Sequence, residues 1–210
     1  MLGQFITLEG SEGAGKSTLL RYLQQYLLQH SLSTIATREP GGTPLAEAIR
    51  ELLLQPRQET VYPVTELLLM FAGRAQHYQE VILPALKSGH WVLCDRFVDA
   101  SYAYQVTARG ISKQAVDALH TMVCGDHLPN LTLLLDLDVQ LGFARTHKRT
   151  AGKDRIEQED LSFFQAVREG YLQRAAAFPE RIKIIDASQP YEQVKKQAIE
   201  ILQDFIERNK

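Results

Sequence analysis

A glycine-rich segment near the start of the chain has the residue types and spacing of a triphosphate-binding loop. Residues 10–17 read Gly-Ser-Glu-Gly-Ala-Gly-Lys-Ser and match the pattern G-x-x-x-x-G-K-[ST]. The glycines let backbone N–H groups turn inward around a phosphate, and the N-terminus of a following helix adds its positive dipole end. Lys16 would neutralise β- and γ-phosphate oxygens, and the Ser17 hydroxyl would ligate Mg²⁺. The residues expected to contact the triphosphate are Gly10, Ser11, Glu12, Gly13, Ala14, Gly15, Lys16, Ser17 and Thr18.

The surroundings of this loop narrow the class of protein that it indicates. The loop follows a short apolar run at residues 5–8 and opens a segment of helical periodicity, as its mechanism requires. The sequence has no [NT]-K-x-D segment, which a GTPase switch needs to read guanine, and it is too short for a motor or helicase ATPase. A compact phosphoryl-transfer kinase fits best. The alternative is a glycine-rich strand-to-helix turn with an incidental lysine.

Length and charge set limits on partners and organisation. The chain has 210 residues, of which 45% are apolar and 23% charged, as in an ordinary soluble globular protein. That length favours one large domain, or one domain with an insertion. Lys and Arg number 23 and Asp and Glu 25, giving a formal charge of −2. This balance argues against a general nucleic-acid binder, which usually carries a basic footprint.

The sequence gives no sign of a disulfide framework, a structural zinc site, a membrane span or a secretion signal. Cys94 and Cys124 form no C-x-x-C pattern, and no run of 18 or more apolar residues occurs. The first ten residues lack a basic segment followed by a long apolar one. We therefore expect a cytoplasmic protein with neither a nucleic-acid nor a membrane partner.

The elements that must position the loop alternate along the chain. Short β-rich runs occur at residues 5–8, 33–37, 91–95, 131–136 and 182–186. Helical periodicity occurs around residues 19–27, after Thr43-Pro44, over residues 64–86 and from about residue 191. Thr43 and Pro44 suit an N-cap and a first helical position. This alternation predicts an α/β three-layer P-loop sandwich, with a five-stranded parallel sheet and a short lid inserted before the fifth strand.

Four further segments, taken with the phosphate loop, resemble bacterial thymidylate kinases. They are residues 37–43 (Thr-Arg-Glu-Pro-Gly-Gly-Thr), the pair Phe71 and Arg74, residues 95–97 (Asp-Arg-Phe) and residues 154–159 (Asp-Arg-Ile-Glu-Gln-Glu). The resemblance runs from Phe5 to the loop at 186–190. It implies one nucleoside monophosphate kinase domain over residues 1–210. It also implies ATP- and Mg²⁺-dependent phosphorylation of dTMP to dTDP, a step in dTTP synthesis.

Asp95 and Arg96 follow the third predicted strand, where ligands bind in open α/β sheets. A carboxylate there can hold Mg²⁺ through water, and a guanidinium can bridge donor and acceptor phosphates. In the resembling family this pair does that work. The resemblance thus gives Lys16, Asp95 and Arg96 as catalytic residues and Ser17 and Asp95 as the metal site. The alternative is a surface ion pair at a strand end.

The resemblance also implies a set of dTMP contacts. Glu12 would bond the 3′-hydroxyl, Phe71 would stack on thymine, and Arg74 would donate to a pyrimidine carbonyl oxygen. The remaining expected contacts are Glu39, Pro40, Arg50, Arg96, Ser101 and Gln105. Many members place the aromatic residue four positions before the arginine, where this chain has Met70; both spacings share one helix face. The alternative is that Phe71 belongs to the core.

Three other residues are further candidates for the acceptor site. Arg38 could contact the acceptor phosphate, although a salt bridge to a neighbouring carboxylate explains it nearly as well. Tyr102 and Tyr104 could pack beside the sugar, where a tyrosine near C2′ would reject a ribonucleotide.

The basic segment at about residues 145–157 resembles the family's lid. Some members carry a catalytic arginine in the phosphate loop, at the position of Gly13, and others carry it in the lid. This chain resembles the second kind, with Arg149 the leading candidate.

The resemblance implies an adenine site as well. Arg145 resembles an arginine that stacks on adenine, and Ala187, Ser188 and Gln189 would line the ring. Arg155 is expected to organise the lid through Asp154 and Glu157.

Two other functions stay open at this point. One is a P-loop kinase for another nucleotide or a deoxynucleoside, and the other is a nucleotide-sensing module that binds ATP without turnover. Phe71, Arg74 and Gln105, as a second-substrate set, argue against the sensing module. The family is usually homodimeric, and the apolar residues 67–70 offer a surface, although core packing explains them as well.

Overall fold

A parallel sheet forms the middle layer of the molecule. The computed structural model describes residues 3–146 and 154–209. Its strands are β1 (Phe5–Glu9), β2 (Thr34–Arg38), β3 (Trp91–Asp95), β4 (Leu131–Asp136) and β5 (Ile182–Asp186). They lie in the order β2-β3-β1-β4-β5, and every neighbouring pair is parallel. The predicted five-stranded parallel sheet is confirmed.

Helices cover both faces of this sheet. They are α1 (Lys16–Gln29), α2 (Pro44–Leu54), α3 (Pro63–His77), α4 (Leu83–Lys87), α5 (Val98–Ser101), α6 (Lys113–Cys124), α7 (Val139–Thr146), α8 (Leu161–Ala177) and α9 (Tyr191–Arg208). Alternate residues of β1 face opposite layers, as the period of a strand requires. Ile6 and Leu8 pack with α1 and α9, whereas Phe5 packs with α3 and α6. The three-layer α/β sandwich is therefore confirmed.

The helix predicted over residues 64–86 is interrupted. A π-helical turn at Tyr78–Ile82 separates α3 from α4. Pro84 lacks an amide hydrogen, and its ring crowds the carbonyl four residues earlier. A regular α-helical hydrogen-bond ladder therefore cannot run through this point. The predicted cap at Thr43 is present, since its side chain accepts a hydrogen bond from the Ala46 amide.

A second π-helical segment, Tyr102–Ala108, follows α5 and packs against α8. Its first four residues, 102–105, are all buried. Such segments occur often at functional sites because they change which side chains face inward. The sequence analysis did not predict this segment.

The topology places two loops side by side at one end of the sheet. Leu8 of β1 pairs in register with Asp95 of β3, so the loops that follow these strands leave the sheet together. β1 has β3 and β2 on one side and β4 and β5 on the other. Ligands of open α/β sheets bind at such a reversal of strand order. Within the described ranges, no helix has the length and apolarity needed to cross a membrane.

Candidate active site

The phosphate loop lies between β1 and α1. Gly13 and Gly15 have left-handed backbone conformations, with φ of 77° and 91°, which suit glycine. Lys16 is the first residue of α1, and its buried Nζ donates to the Ser11 carbonyl oxygen at 2.9 Å. Burial, and then the positive charge of Arg96, lowers the pKa of Lys16 below its ordinary value. The structure therefore brings together the glycine-rich turn, a helix N-terminus and the lysine.

Ser17 of α1 and Asp95 at the end of β3 form a hydrogen bond with each other. The Ser17 hydroxyl, in the first turn of α1, donates to Asp95 Oδ2 at 2.8 Å. Hydroxyl and carboxylate oxygens are ligands that suit Mg²⁺. No group of three or more His, Cys, Asp or Glu residues in the described chain could hold a metal ion. The pair therefore fits a Mg²⁺ ion that takes its other ligands from phosphate and water, as Mg²⁺ commonly does.

Arg96 bridges the phosphate loop and α8. Its Nη2 donates to Glu12 Oε1 at 2.8 Å, and its Nη1 donates to the Tyr171 hydroxyl at 2.9 Å. The guanidinium carbon lies 5.0 Å from the centroid of the Tyr104 ring. Arg96 has φ of 72°, a left-handed conformation that costs a non-glycine residue about 1–2 kcal/mol. These contacts hold a strained backbone and aim the guanidinium at the phosphate loop.

The buried carboxyl group of Glu9 contacts the same Tyr171 hydroxyl as Arg96. Glu9 Oε1 accepts a hydrogen bond from the Phe97 amide at 2.7 Å, and its Oε2 accepts one from the Tyr171 hydroxyl at 2.8 Å. Burial, and next the charge of Asp99, raises the pKa of Glu9 to about 8. Sequence reasoning missed Glu9 and Tyr171. The one available signal was an acidic residue that ends an otherwise apolar strand.

A cavity of about 100 Å³ lies beside the phosphate loop. The predicted acceptor contacts that line it are Glu12, Glu39, Pro40, Arg50, Arg96 and Gln105. Leu53, Leu54, Met70 and Ile156 supply apolar wall that the sequence analysis did not assign. The exposed wall is mainly apolar although many of the lining residues are charged, and an apolar wall with convergent polar groups is typical of small-molecule sites.

Met70, and not Phe71, faces this cavity. Phe71 is 2% exposed and packs in the core with Leu67 and Phe97. Positions 67, 71 and 74 share the face of α3 that is turned toward the sheet, and position 70 lies about 100° round the helix from position 71. The predicted placement of Phe71 against the base is therefore corrected: its ring packs under the Arg74 guanidinium, 4.6 Å from the Arg74 Cζ.

Arg74 and Ser101 lie behind the cavity wall. Arg74 Nε donates to Glu39 Oε2 at 2.7 Å, Nη1 to Ser101 Oγ at 3.0 Å, and Nη2 to the Phe97 carbonyl oxygen at 3.1 Å. Arg74 is 1% exposed, and neither it nor Ser101 is among the residues that line the cavity. The expected contacts of these two residues with the base stay predictions. The two side chains hold Glu39 in place against the loop that follows β3.

Arg38 and Arg50 differ in their surroundings. Arg38 is half-exposed and forms a salt bridge with Glu47 at 2.7 Å, which is the alternative that its sequence position left open. Arg50 is partly buried and donates to the Pro40 carbonyl oxygen at 2.9 Å. Burial, and next the charge of Arg38, lowers the pKa of Arg50. Both side chains line a second, more polar cavity.

The second cavity, of about 330 Å³, surrounds the phosphate loop. Lys16, Ser17 and Asp95 line it. It shares Glu12, Glu39, Arg50, Arg96, Asp154 and Glu157 with the first cavity. The two cavities therefore meet along these shared residues, among which Glu12 and Arg96 are hydrogen-bonded to each other. This junction is where a group bound at the phosphate loop would reach a group bound in the apolar cavity.

The expected adenine residues lie together at the far side of the phosphate loop. Arg145 Nη1 donates to the Ala187 carbonyl oxygen at 3.0 Å. Asp186 accepts from Ser188 Oγ at 2.6 Å and from Gln189 Nε2 at 2.8 Å, which fixes this turn. Arg149 and residues 147–153 lie outside the described residues.

Arg155 anchors the segment that follows. Its amide donates to the Leu54 carbonyl oxygen and its Nε to that of Leu53, both at 2.8 Å. Its Nη2 donates to Glu66 Oε2 at 2.7 Å. The side chains of Asp154 and Glu157 accept hydrogen bonds from each other's backbone amides. The expectation that these two carboxylates hold Arg155 is therefore corrected.

These features define a P-loop phosphotransferase: a parallel sheet, a phosphate loop after its first strand, and an arginine at the junction of two cavities. The family model described as thymidylate kinase matches residues 8–198. The chain belongs to the thymidylate kinase family.

Curated relatives and a solved structure are similar over nearly the whole chain. The thymidylate kinase of Marinomonas sp. (strain MWYL1) is 53% identical over 202 residues, which cover 96% of this chain and 95% of the relative. That of Alcanivorax borkumensis is 52% identical over 205 residues, 98% of each chain. The crystal structure of thymidylate kinase from Ehrlichia chaffeensis is 31% identical, with a TM-score of 0.77, and the match covers 96% of this chain and 99% of that one.

Proposed function

We propose that the protein transfers the γ-phosphoryl group of ATP to dTMP, giving ADP and dTDP. The observation that carries this proposal is the meeting of two cavities at Glu12 and Arg96. One cavity is built on the phosphate loop and the other has the apolar wall of a base-binding site. Membership of the thymidylate kinase family supports dTMP as the acceptor.

The reaction forms one bond and breaks one. A phosphate oxygen of dTMP bonds to the γ-phosphorus, and the bond from that phosphorus to the bridging oxygen of ADP breaks. The acceptor oxygen is already anionic at neutral pH, so no general base is required. Lys16 and Arg96 stabilise the negative charge that spreads over the transferred group, which is the main contribution that a protein makes to this chemistry.

Ser17 and Asp95 are the proposed holders of Mg²⁺. The bound ion would neutralise charge on the β- and γ-phosphate oxygens. The hydrogen bond between the two side chains positions both oxygens before any ion binds.

The base and sugar are proposed to occupy the apolar cavity. Gln105 lines it, and its Oε1 is buried with no hydrogen-bond partner within residues 3–146 and 154–209, so it can accept the N3–H of thymine. Glu12 would accept the 3′-hydroxyl. Arg50 would contact the acceptor phosphate, and the Tyr104 ring would pack beside the sugar.

The ATP contacts expected from the sequence are proposed unchanged. Residues 10–18 would cradle the triphosphate, and Arg145 with residues 187–189 would hold adenine. Arg149 is the proposed catalytic cation of a lid at about residues 145–157, within one kinase domain over residues 1–210. The substrates favour a cytoplasmic location, where ATP and nucleotides are available.

A homodimer is proposed through the outer face of α2, α3 and α6. Leu52 of α2, Leu68 of α3 and Met122 of α6 are 50%, 53% and 77% exposed. α3 packs against both of the other helices. A second copy would remove this apolar surface from water. Sedimentation of the wild type and of Leu68→Glu tests the proposed dimer. A monomeric wild type would contradict the proposal.

The acceptor is tested by ADP release with dTMP, dUMP, dCMP and thymidine. The highest kcat/KM is expected with dTMP. Preference for thymidine or dCMP would instead indicate a kinase for another acceptor. Tight ATP binding with no acceptor-dependent turnover would indicate a nucleotide-sensing module.

A further inference from the structure

Glu66 of α3 is a buried carboxylate that the sequence analysis did not assign. It is 1% exposed, and its Oε1 accepts a hydrogen bond from Gln105 Nε2 at 3.0 Å and a longer one from Arg109 Nε at 3.4 Å. Its Oε2 accepts from Arg155 Nη2 at 2.7 Å and from Arg109 Nη2 at 3.2 Å. Burial raises the pKa of Glu66, but the charge of Arg109 and hydrogen bonds from Gln105 and Arg155 outweigh it, so the pKa lies below its ordinary value. Glu66 is therefore ionised at neutral pH.

An ionised carboxylate accepts hydrogen bonds and donates none. Gln105 must therefore turn its NH₂ group toward Glu66 and its carbonyl oxygen away from it. Gln105 lines the apolar cavity, and this oxygen is buried and has no hydrogen-bond partner among the described residues. The two ends of a glutamine amide are hard to distinguish by shape, but here the charge of the neighbour decides between them.

We propose that Glu66 is a specificity-determining positioning residue: by orienting the Gln105 amide, it makes the cavity select pyrimidines that carry a hydrogen on N3. Thymine and uracil carry that hydrogen and can donate it to Gln105 Oε1. Cytosine has a lone pair at N3, which would face the lone pairs of the same oxygen. This inference rests on the proposed function, and it concerns which base is accepted rather than whether phosphate is transferred.

Arg109 and Arg155 stabilise the orientation of the Gln105 amide through their contacts with Glu66. Both guanidiniums donate to Glu66, so a residue at position 66 must present an oxygen to them. In Glu66→Gln the amide oxygen would face the arginines and the NH₂ group would face Gln105. Gln105 would then turn its carbonyl oxygen to position 66 and present its NH₂ group to the cavity.

The test is kcat/KM for dTMP and for dCMP at saturating ATP, in the wild type and in Glu66→Gln. Wild type is expected to prefer dTMP. Glu66→Gln is expected to lower the dTMP-to-dCMP ratio at least about tenfold, since sites built to bond a ligand hydrogen discriminate strongly against ligands that lack it. The KM for ATP is expected to stay within about threefold, because the substitution touches the acceptor cavity.

Glu159→Gln is the matched control. Glu159 accepts from Arg109 at 2.7 Å, so the same chemical change alters the same arginine without touching Gln105. This variant is expected to keep the wild-type ratio. The double variant Glu66→Gln/Gln105→Glu reverses the pair, so that a carboxylate oxygen again faces the cavity, and it is expected to recover the preference for dTMP.

Melting temperatures establish that each variant is folded. A folded Glu66→Gln variant that keeps the wild-type ratio, even with reduced activity, would overturn the inference. If Glu66→Gln does not fold, Glu66→Asp replaces it: the shorter carboxylate keeps a charge for the arginines and withdraws the acceptor from Gln105, and an unchanged ratio would overturn the inference equally. Absence of dTMP turnover in the wild type would instead contradict the proposed function itself.

Discussion

Gly13 and Gly142 approach each other too closely for either to carry a side chain. A Cβ on Gly13 would lie 2.5 Å from the Gly142 carbonyl oxygen, and a Cβ on Gly142 would lie 2.6 Å from the Glu12 carbonyl oxygen. Both obstacles are backbone atoms, which cannot rotate away. The start of α7 is thus packed directly on the phosphate loop, and an arginine at position 13 has no room here. The position of the catalytic arginine in the lid stays a prediction.

Gly142→Ala should therefore damage the donor site. The added methyl group would force the phosphate loop or α7 to shift, and we expect kcat/KM for ATP to fall at least about tenfold, because small displacements of reacting groups are costly. Steady-state kinetics with varied ATP measure this. Gly73→Ala is the control, since a Cβ there would lie 3.6 Å from the Ile49 side chain, an ordinary contact. A Gly142→Ala variant with wild-type ATP kinetics would contradict the prediction.

Lys16→Ala should lower kcat by about 100-fold or more, because it removes charge stabilisation at the transferred phosphoryl group. Coupled measurement of ADP release checks this. Lys113→Ala removes an exposed lysine in α6 and should leave kcat unchanged. Activity of Lys16→Ala within about threefold of wild type would disprove the role given to the phosphate loop.

Arg74→Ala should destabilise the fold. It would leave Glu39 buried without its main ion-pair partner, and breaking a buried pair in this way costs about 3–5 kcal/mol. Urea unfolding measures the loss. Arg38→Ala removes an exposed pair with Glu47 and should cost at most about 1 kcal/mol. Equal stability of these two variants would show that Arg74 has no structural role.

Glu9 should make stability fall as pH rises. Its pKa is raised from 4.5 to about 8 in the folded chain, so the folded state keeps a proton that the unfolded state loses between these values. Its contribution is full below pH 4.5 and is lost as pH rises through about 8. The linkage slope for one proton is about 1.4 kcal/mol per pH unit. The free energy of unfolding should therefore fall more between pH 6 and pH 8 for wild type than for Glu9→Gln. An equal fall in the two proteins would contradict this prediction.

Arg149→Ala should lower kcat strongly and leave the KM for dTMP nearly unchanged. The residue is proposed to act on the transition state rather than on the bound acceptor. Lys148→Ala is the neighbouring control, and steady-state kinetics compare the two. An equal loss in both variants would indicate a diffuse positive field. A loss of no more than about twofold in both would place the catalytic cation at Arg155 or Arg145.

Local patterns in the sequence determined much of the fold. The apolar run before the phosphate loop, the cap at Thr43 and the alternation of strands with helices all depend on residues a few positions apart. Backbone propensities and hydrogen-bond geometry act over that range. The five strands and their parallel arrangement could therefore be predicted, as could the phosphate loop, whose residues are consecutive.

The tertiary structure alone decided which side chains face the acceptor cavity. Periodicity puts Met70 and Phe71 on the same apolar helix, but only packing against the sheet shows that Met70 faces the cavity. The π-helical segment that carries Gln105 has no signature in sequence.

Long-range polar partners were likewise beyond the sequence. Glu66 and Gln105 are 39 residues apart, and Glu9 and Tyr171 are 162 apart. Each is a hydrogen bond whose existence depends on the fold bringing two buried polar groups to one place, where leaving either unpaired would be costly. The sequence by itself determined the residue types available for binding and chemistry. Their orientation, and with it the selection of one base over another, depends on contacts that exist only in the folded chain.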